Sequence, residues 1–287
     1  PEPEPEPEPE PVVSEFDIEI NYSGAEGYES YFEDAAAMWE SVIIGDLPDV
    51  DSIDDVSIDV EIFHEESNVL GWGGWTGIRV IDASTVGLPG EGIMGFNSFH
   101  LDDMVEEDIL TGVIAHEIGH VLGFGTLWHD WDTSDEFVNG AWNQYGAGDL
   151  VDDDYNYLGE HAVQAYAELT GVDQSSVPVE DGSTTPGEGS IGSHWRENIF
   201  NDELMTPIAD GELNMSTVTI ASLRDLGYET TDYSVALGQM ETAITDAVAW
   251  EEGSGSDLIW TDQTNDVRTL YPTKNETSML RNNSIVL

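Results

Sequence analysis

Phe16-Asp17-Ile18-Glu19-Ile20 alternates apolar and polar residues with the two-residue period of a half-buried strand. The period then lengthens. Phe32, Ala36, Trp39 and Ile43 fall on one stripe, which predicts a helix over residues 28–44. Alternation returns in Val56-Ser57-Ile58-Asp59-Val60-Glu61-Ile62-Phe63, a long strand, and shorter strands are expected at 78–81 and 93–99. Asp102 and Asp103 can then cap a helix start, with Glu106 or Glu107 in its first turn. Ile109, Leu110, Val113, Ile114, Val121 and Leu122 continue at helical spacing, so one core helix of about twenty residues is expected, ending at Gly123. Strand, helix, strands, helix is the order of an α+β fold, a mixed sheet with helices packed on it.

Residues 125–193 lose this periodicity and are rich in Gly, Asp and Tyr. One helix is expected near 160–169, and an irregular stretch of this length is functional or disordered. Ser216 can cap a last helix running through Leu226, with Gly227 as its stop. The two ends differ in kind. Pro1 to Pro11 is a strict Pro-Glu repeat, so 1–12 reads as an extended, charged tether without a fold. The domain proper is expected at 13–240, followed by a C-terminal extension at 241–287 that contains the flexible link Gly253-Ser254-Gly255-Ser256.

Composition adds a constraint from charge. The chain has 287 residues, 39% of them hydrophobic, with nine Trp, enough for a real core. Yet Lys+Arg total 6 against Asp+Glu 60, a formal net charge of −54. Disorder can carry such charge, but the aromatic and aliphatic content argues against it. A halophilic, archaeal-type domain whose carboxylates face concentrated salt is the better reading. Nucleic acid and anionic membranes are poor partners, because their phosphates repel this surface. The absence of cysteine excludes disulfides, thiolate metal ligands and a cysteine nucleophile. No apolar run approaches the length of a membrane span. No leader is recognisable, and the first residues look processed.

The candidate chemistry lies in His116-Glu117-Ile118-Gly119-His120 on the predicted core helix. Positions i and i+4 share one helix face, so both imidazoles can reach one metal ion, with Glu117 placed to act on water beside it. H-E-x-x-H on a helix is the zinc metallopeptidase signature. A catalytic zinc normally takes three protein ligands, so a third is required. The remaining histidines are His64, His100, His129, His161 and His194. A compact site would place the third His at position 126, which is Thr126. His129 stays open on spacing, and His194 has richer surroundings, with Met205-Thr206-Pro207 downstream. Asp149, Asp152, Asp153 and Asp154 are a candidate calcium-binding run, although their spacing fits no EF-hand loop.

H-E-x-x-H-x-x-G, a distant His and a later Met turn together resemble the metzincin zinc peptidases. Within them the chain looks like the leishmanolysin family, whose third His follows a long insertion. The resemblance runs from Ile78 to Tyr228 and includes Gly95-Phe96-Asn97, residues 116–127, 163–179, 194–207 and 218–228. It implies a bilobal metzincin-like fold. A mixed twisted sheet and the active-site helix would form the N-terminal lobe, up to about residue 123. An irregular C-terminal lobe with a late helix would follow. It also implies His116, His120 and His194 as zinc ligands, Glu117 as general base, Met205 beneath the metal and Gly123 as the hinge between lobes. The expected activity is zinc-dependent endopeptidase cleavage of protein or peptide substrates, at the cell surface or outside the cell. The competing reading is a non-catalytic surface binding or adhesion module on the same scaffold, with structural zinc. An intact Glu117 argues against that, since a structural site needs no base.

Overall fold

The computed structural model describes residues 14–24, 27–49, 52–82, 85–128, 150–183, 190–209, 213–231 and 278–281. The Pro-Glu repeat, His129, Asp149 and most of 241–287 lie outside them. Strand β1 is Ile18–Tyr22, and helix α1 is Glu29–Glu40. Strands β2 (Val56–Phe63), β3 (Gly71–Asp82) and β4 (Thr85–Asn97) follow. They form a mixed sheet in the order β1-β2-β4-β3-β7, in which β7 is Ser278–Arg281. β1, β2 and β4 run parallel, and β3 is antiparallel to both β4 and β7. The tail of the chain thus returns as a strand on the outer edge of β3.

The β2 pattern explains its place. Val56, Ile58 and Val60 point into the core and Asp59 and Glu61 point out. On α1, Phe32, Ala35, Ala36 and Trp39 are buried, and Phe32 meets Phe96 of β4 edge-on at 5.2 Å. Each such aromatic burial contributes about 1.5–3 kcal/mol before entropy is counted.

The predicted twenty-residue helix is two helices, α2 at Leu101–Glu106 and α3 at Leu110–Val121. The chain breaks at Asp108, whose φ is 61°, a left-handed conformation that Asp tolerates better than most residues. The Ile109 N–H then bonds back to Met104 O at 3.0 Å, and a new helix starts. The strands expected at 78–81 and 93–99 are also longer than the apolar pattern shows. β3 opens with Gly71-Trp72-Gly73-Gly74, where glycines hide the alternation.

From Val113 to Val121 every residue of α3 is buried. A helix covered on all sides is a central element. α1, β3 and β4 pack against it, and the Trp39 indole N–H donates to Ala115 O at 2.8 Å, tying α1 to it. Past Gly123 come a short β5–β6 pair (Asn156–Tyr157 and Val177–Pro178), α4 (Glu160–Thr170), α5 (Glu197–Phe200) and α6 (Thr217–Leu226). α4 packs on α6. Ser216 caps α6 by accepting from the Thr219 N–H, and Gly227 ends it at φ 112°. Phe124, Trp128, Tyr157, Trp195 and Phe200 form the aromatic centre of this half. Among the described residues no helix is long and apolar enough to cross a membrane.

Candidate metal centre

His116 and His120 lie one turn apart on α3 and point the same way. Gly123 stops the helix right after them: its φ of 107° belongs to the left-handed region open to glycine. The chain turns there, and the Phe124 carbonyl comes back over the helix end to accept from His120 Nδ1 at 2.9 Å. His194 arrives from the other half. Its carbonyl accepts from the Glu180 N–H at 2.9 Å, and the following Trp195 N–H donates to Met205 O at 3.0 Å. The segment carrying His194 is therefore held between residues 179–180 and the Met205 turn.

The three Nε2 atoms converge. His116 to His120 is 3.0 Å, His120 to His194 is 3.1 Å and His116 to His194 is 3.2 Å. Each Nδ1 faces a carbonyl oxygen: Leu204 O at 2.7 Å for His116, Phe124 O at 2.9 Å for His120 and Ser190 O at 3.1 Å for His194. A carbonyl only accepts, so each Nδ1 that faces one carries the proton, with the Ser193 hydroxyl 2.9 Å from His194 Nδ1 able to accept beside it, and each Nε2 presents a lone pair. Three buried lone pairs aimed at one point repel one another unless a cation lies between them. Nitrogens held about 2.0–2.1 Å from one tetrahedral zinc lie roughly 3.3 Å apart, close to what is seen. The donor set therefore fits zinc.

Electrostatics agree. Burial pushes His120 down to about 4. His116 and His194 are held well below the ordinary value, first by burial and then by the neighbouring imidazoles. All three stay neutral at physiological pH, as metal ligation requires.

Glu117 is buried on α3 beside β3. A Cβ at Gly73 would stand 2.7 Å from the Glu117 carbonyl oxygen and 3.1 Å from its Oε2, so β3 lies this close to the carboxylate because residue 73 has no side chain. Met205 is fully buried against Gly119, where an added Cβ would meet its Sδ at 2.7 Å. The sequence pattern singles out neither Gly73 nor this Gly119–Met205 contact.

The other candidates are placed elsewhere. His64 Nδ1 lies 3.1 Å from Ser98 Oγ, and His100 Nε2 lies 2.6 Å from Ser67 O. His161 sits at the exposed start of α4. The calcium expectation finds no support in the described part of its run, since Asp152, Asp153 and Asp154 are not among the carboxylates that meet within reach of one ion there. Asp152 instead folds its own loop, accepting from the N–H groups of Asp154 and Asn156, each at 3.0 Å. The acidic group Asp46, Asp54 and Asp55 lies near the buried Arg79, whose guanidinium donates to the carbonyls of Pro48, Asp54, Asp55 and Pro89.

A leishmanolysin homologue from Crithidia fasciculata is 32% identical over 132 residues, covering 45% of this chain and 18% of that protein. Leishmanolysins from Leishmania donovani and Leishmania chagasi are 26% and 28% identical over 190 and 175 residues. Each of those matches covers 60% of this chain and 26% of the relative. The chain thus spans about a quarter or less of the curated relatives it matches. The leishmanolysin peptidase family matches residues 52–279, which takes in α3, His194 and the Met205 turn. With His194 meeting the two histidines of the H-E-x-x-H helix, and with that match over most of its length, the chain belongs to the leishmanolysin family.

Proposed function

We propose that the chain is a zinc-dependent endopeptidase, with His116, His120 and His194 as ligands and Glu117 as general base. The observation that carries this is the convergence of three neutral, carbonyl-tethered imidazoles beside a buried carboxylate. Zinc held there would supply Lewis acidity, making water acidic near neutral pH and polarising a peptide carbonyl. The chain's own groups do the rest. The Leu204, Phe124 and Ser190 carbonyls fix the tautomer and tilt of each imidazole. Glu117 takes a proton from water on one carboxylate oxygen and returns it to the leaving amine. Met205 packs under α3 at Gly119 and shapes the floor of the site without serving as a ligand.

The same reading divides the chain into an N-terminal lobe up to Gly123, a C-terminal lobe through about residue 240 and a tether at 1–12. Gly123 is the hinge. A net charge of −54 suits a surface or extracellular peptidase working in concentrated salt on protein or peptide substrates. The test is cleavage of a casein or peptide substrate alongside metal analysis. Stoichiometric zinc, loss of cleavage with chelator, recovery with zinc and inactivity of zinc-loaded Glu117→Gln are expected. Bound zinc without cleavage would favour a binding module, and absence of zinc would overturn the reading altogether.

A further inference from the structure

The Met205 turn contains a carboxylate that this mechanism leaves unused. Glu203 is 2% exposed. It accepts from the Met205 N–H at 2.6 Å, from the Ser216 N–H at 3.0 Å and from the Ser216 hydroxyl at 2.7 Å. The Thr219 hydroxyl is a fourth donor. Both hydroxyl protons are committed to it. Ser216 Oγ already accepts from the Thr219 N–H at 3.2 Å, and Thr219 Oγ1 accepts from the Trp195 indole at 2.8 Å. Four donors facing one carboxyl group fit its anion.

The Met205 N–H and the Leu204 carbonyl belong to a single peptide unit. One end of that unit donates to Glu203, and the other accepts from His116 Nδ1 at 2.7 Å. We propose that Glu203 is a positioning residue of the metal centre, acting on His116 through the Leu204–Met205 peptide. A metal-bound imidazole commonly leans on a carboxylate, which orients the ring and raises its basicity. Here one peptide is inserted between them, and hydrogen bonds in series polarise one another. Through Thr219 and the Trp195 indole, the same carboxylate holds the residue next to His194. Glu203 thereby couples a ligand on α3 to a ligand from the other half. Helix capping alone does not account for this, because the bond to the Met205 N–H lies outside α6.

The inference rests on the proposed zinc site, and the experiment separates the two. Zinc affinity of the full chain is measured by competition with a chromogenic chelator, and the visible spectrum is recorded after cobalt substitution. If the parent protein binds no zinc, the metal-site reading fails and this proposal with it. If the parent binds, Glu203→Gln should lower zinc affinity by about 10- to 100-fold and alter the cobalt bands, while circular dichroism shows a folded chain. Thr219→Val removes one donor to the carboxylate and should shift both readouts the same way by less. Affinity within about twofold of the parent and an unchanged cobalt spectrum in Glu203→Gln would reduce Glu203 to a fold-stabilising residue. Should that variant not fold, the same null result in Thr219→Val overturns the proposal.

Discussion

Replacing Gly119 with Ala sets two effects of known size against each other. Gly119 lies in the interior of α3, between the two histidines. In a helix interior Ala is better than Gly by about 1 kcal/mol, so propensity alone predicts a more stable protein. Packing opposes it. The new Cβ would stand 2.7 Å from Met205 Sδ, 2.8 Å from its Cε and 3.0 Å from Trp39 Cζ2. Ordinary contact begins at 3.4 Å, so Met205 must retreat by about 0.7 Å. Trp39 cannot yield easily, since its indole is bonded to Ala115 O and fully buried. Overpacking of this kind costs about 1–3 kcal/mol. It outweighs propensity, and the metal-free variant should lose about 1 kcal/mol in urea unfolding. Its zinc affinity should fall as well, because Met205 shares a peptide unit with the carbonyl that holds His116. A double-mutant cycle checks the cause. Met205→Ala alone should cost about 2–5 kcal/mol, but added to Gly119→Ala it also opens the space the new methyl needs. The pair should be less destabilised than the sum by about 1 kcal/mol or more. A stabilised single variant, or additivity within about 0.5 kcal/mol, would show that Met205 does not press on the helix at Gly119.

Three further outcomes follow from the same geometry. His194→Ala should lower zinc affinity sharply in a chelator-competition titration and His129→Ala should not; the reverse result would displace His194 from the site. Thermal midpoints should rise from dilute buffer to molar potassium chloride, because the Debye length falls from about 30 Å to about 3 Å and the repulsion behind the net charge of −54 is screened; a flat or falling series refutes the halophilic reading. In molar salt the metal-free protein should lose stability as pH drops below about 6.5, since the unfolded chain takes up protons that the buried histidines refuse. His120, held at about 4, accounts for about 2 kcal/mol of that loss by pH 5, so midpoints unchanged between pH 7 and pH 5 count against its burial.

Legibility in the sequence tracked how local each interaction is. β2 and the Ser216–Gly227 helix were readable because strand alternation and helix caps act over a few residues. The break between α2 and α3 was not, because apolar spacing is nearly the same on both sides of Asp108 and only its positive φ redirects the chain. β3 was half hidden, since Gly71 and Gly73 near its start leave room for Glu117 and add no pattern of their own. His116 and His120 share one helix turn and declare themselves. His194 could be favoured over His129 only through the downstream Met205 and a family resemblance, as no local rule brings a residue from the far side of the fold to the same point.

Acidic residues show the same limit most sharply. With 60 Asp and Glu in the chain, a carboxylate carries almost no information by its presence. Burial restores it. An ion taken out of water costs several kcal/mol unless donors replace the solvent, and this chain has ample surface on which to leave its acids. Among the described residues the buried acids are Asp55, Glu117, Glu180, Glu197 and Glu203. Asp55 closes the turn before β2 through the N–H groups of Asp17 and Leu47. Glu180 accepts from the N–H groups of Gly182 and Glu197, on either side of His194. Glu203 ties down the Met205 turn. Apart from Asp55, the buried acids therefore lie in or next to the segments that bring the histidines together. Surface acids respond to salt, whereas Asp55, Glu180 and Glu203 are held by fixed backbone donors that salt does not screen. Neutralising acids on the two populations should then separate salt dependence from metal binding, although nothing in the sequence distinguishes one population from the other.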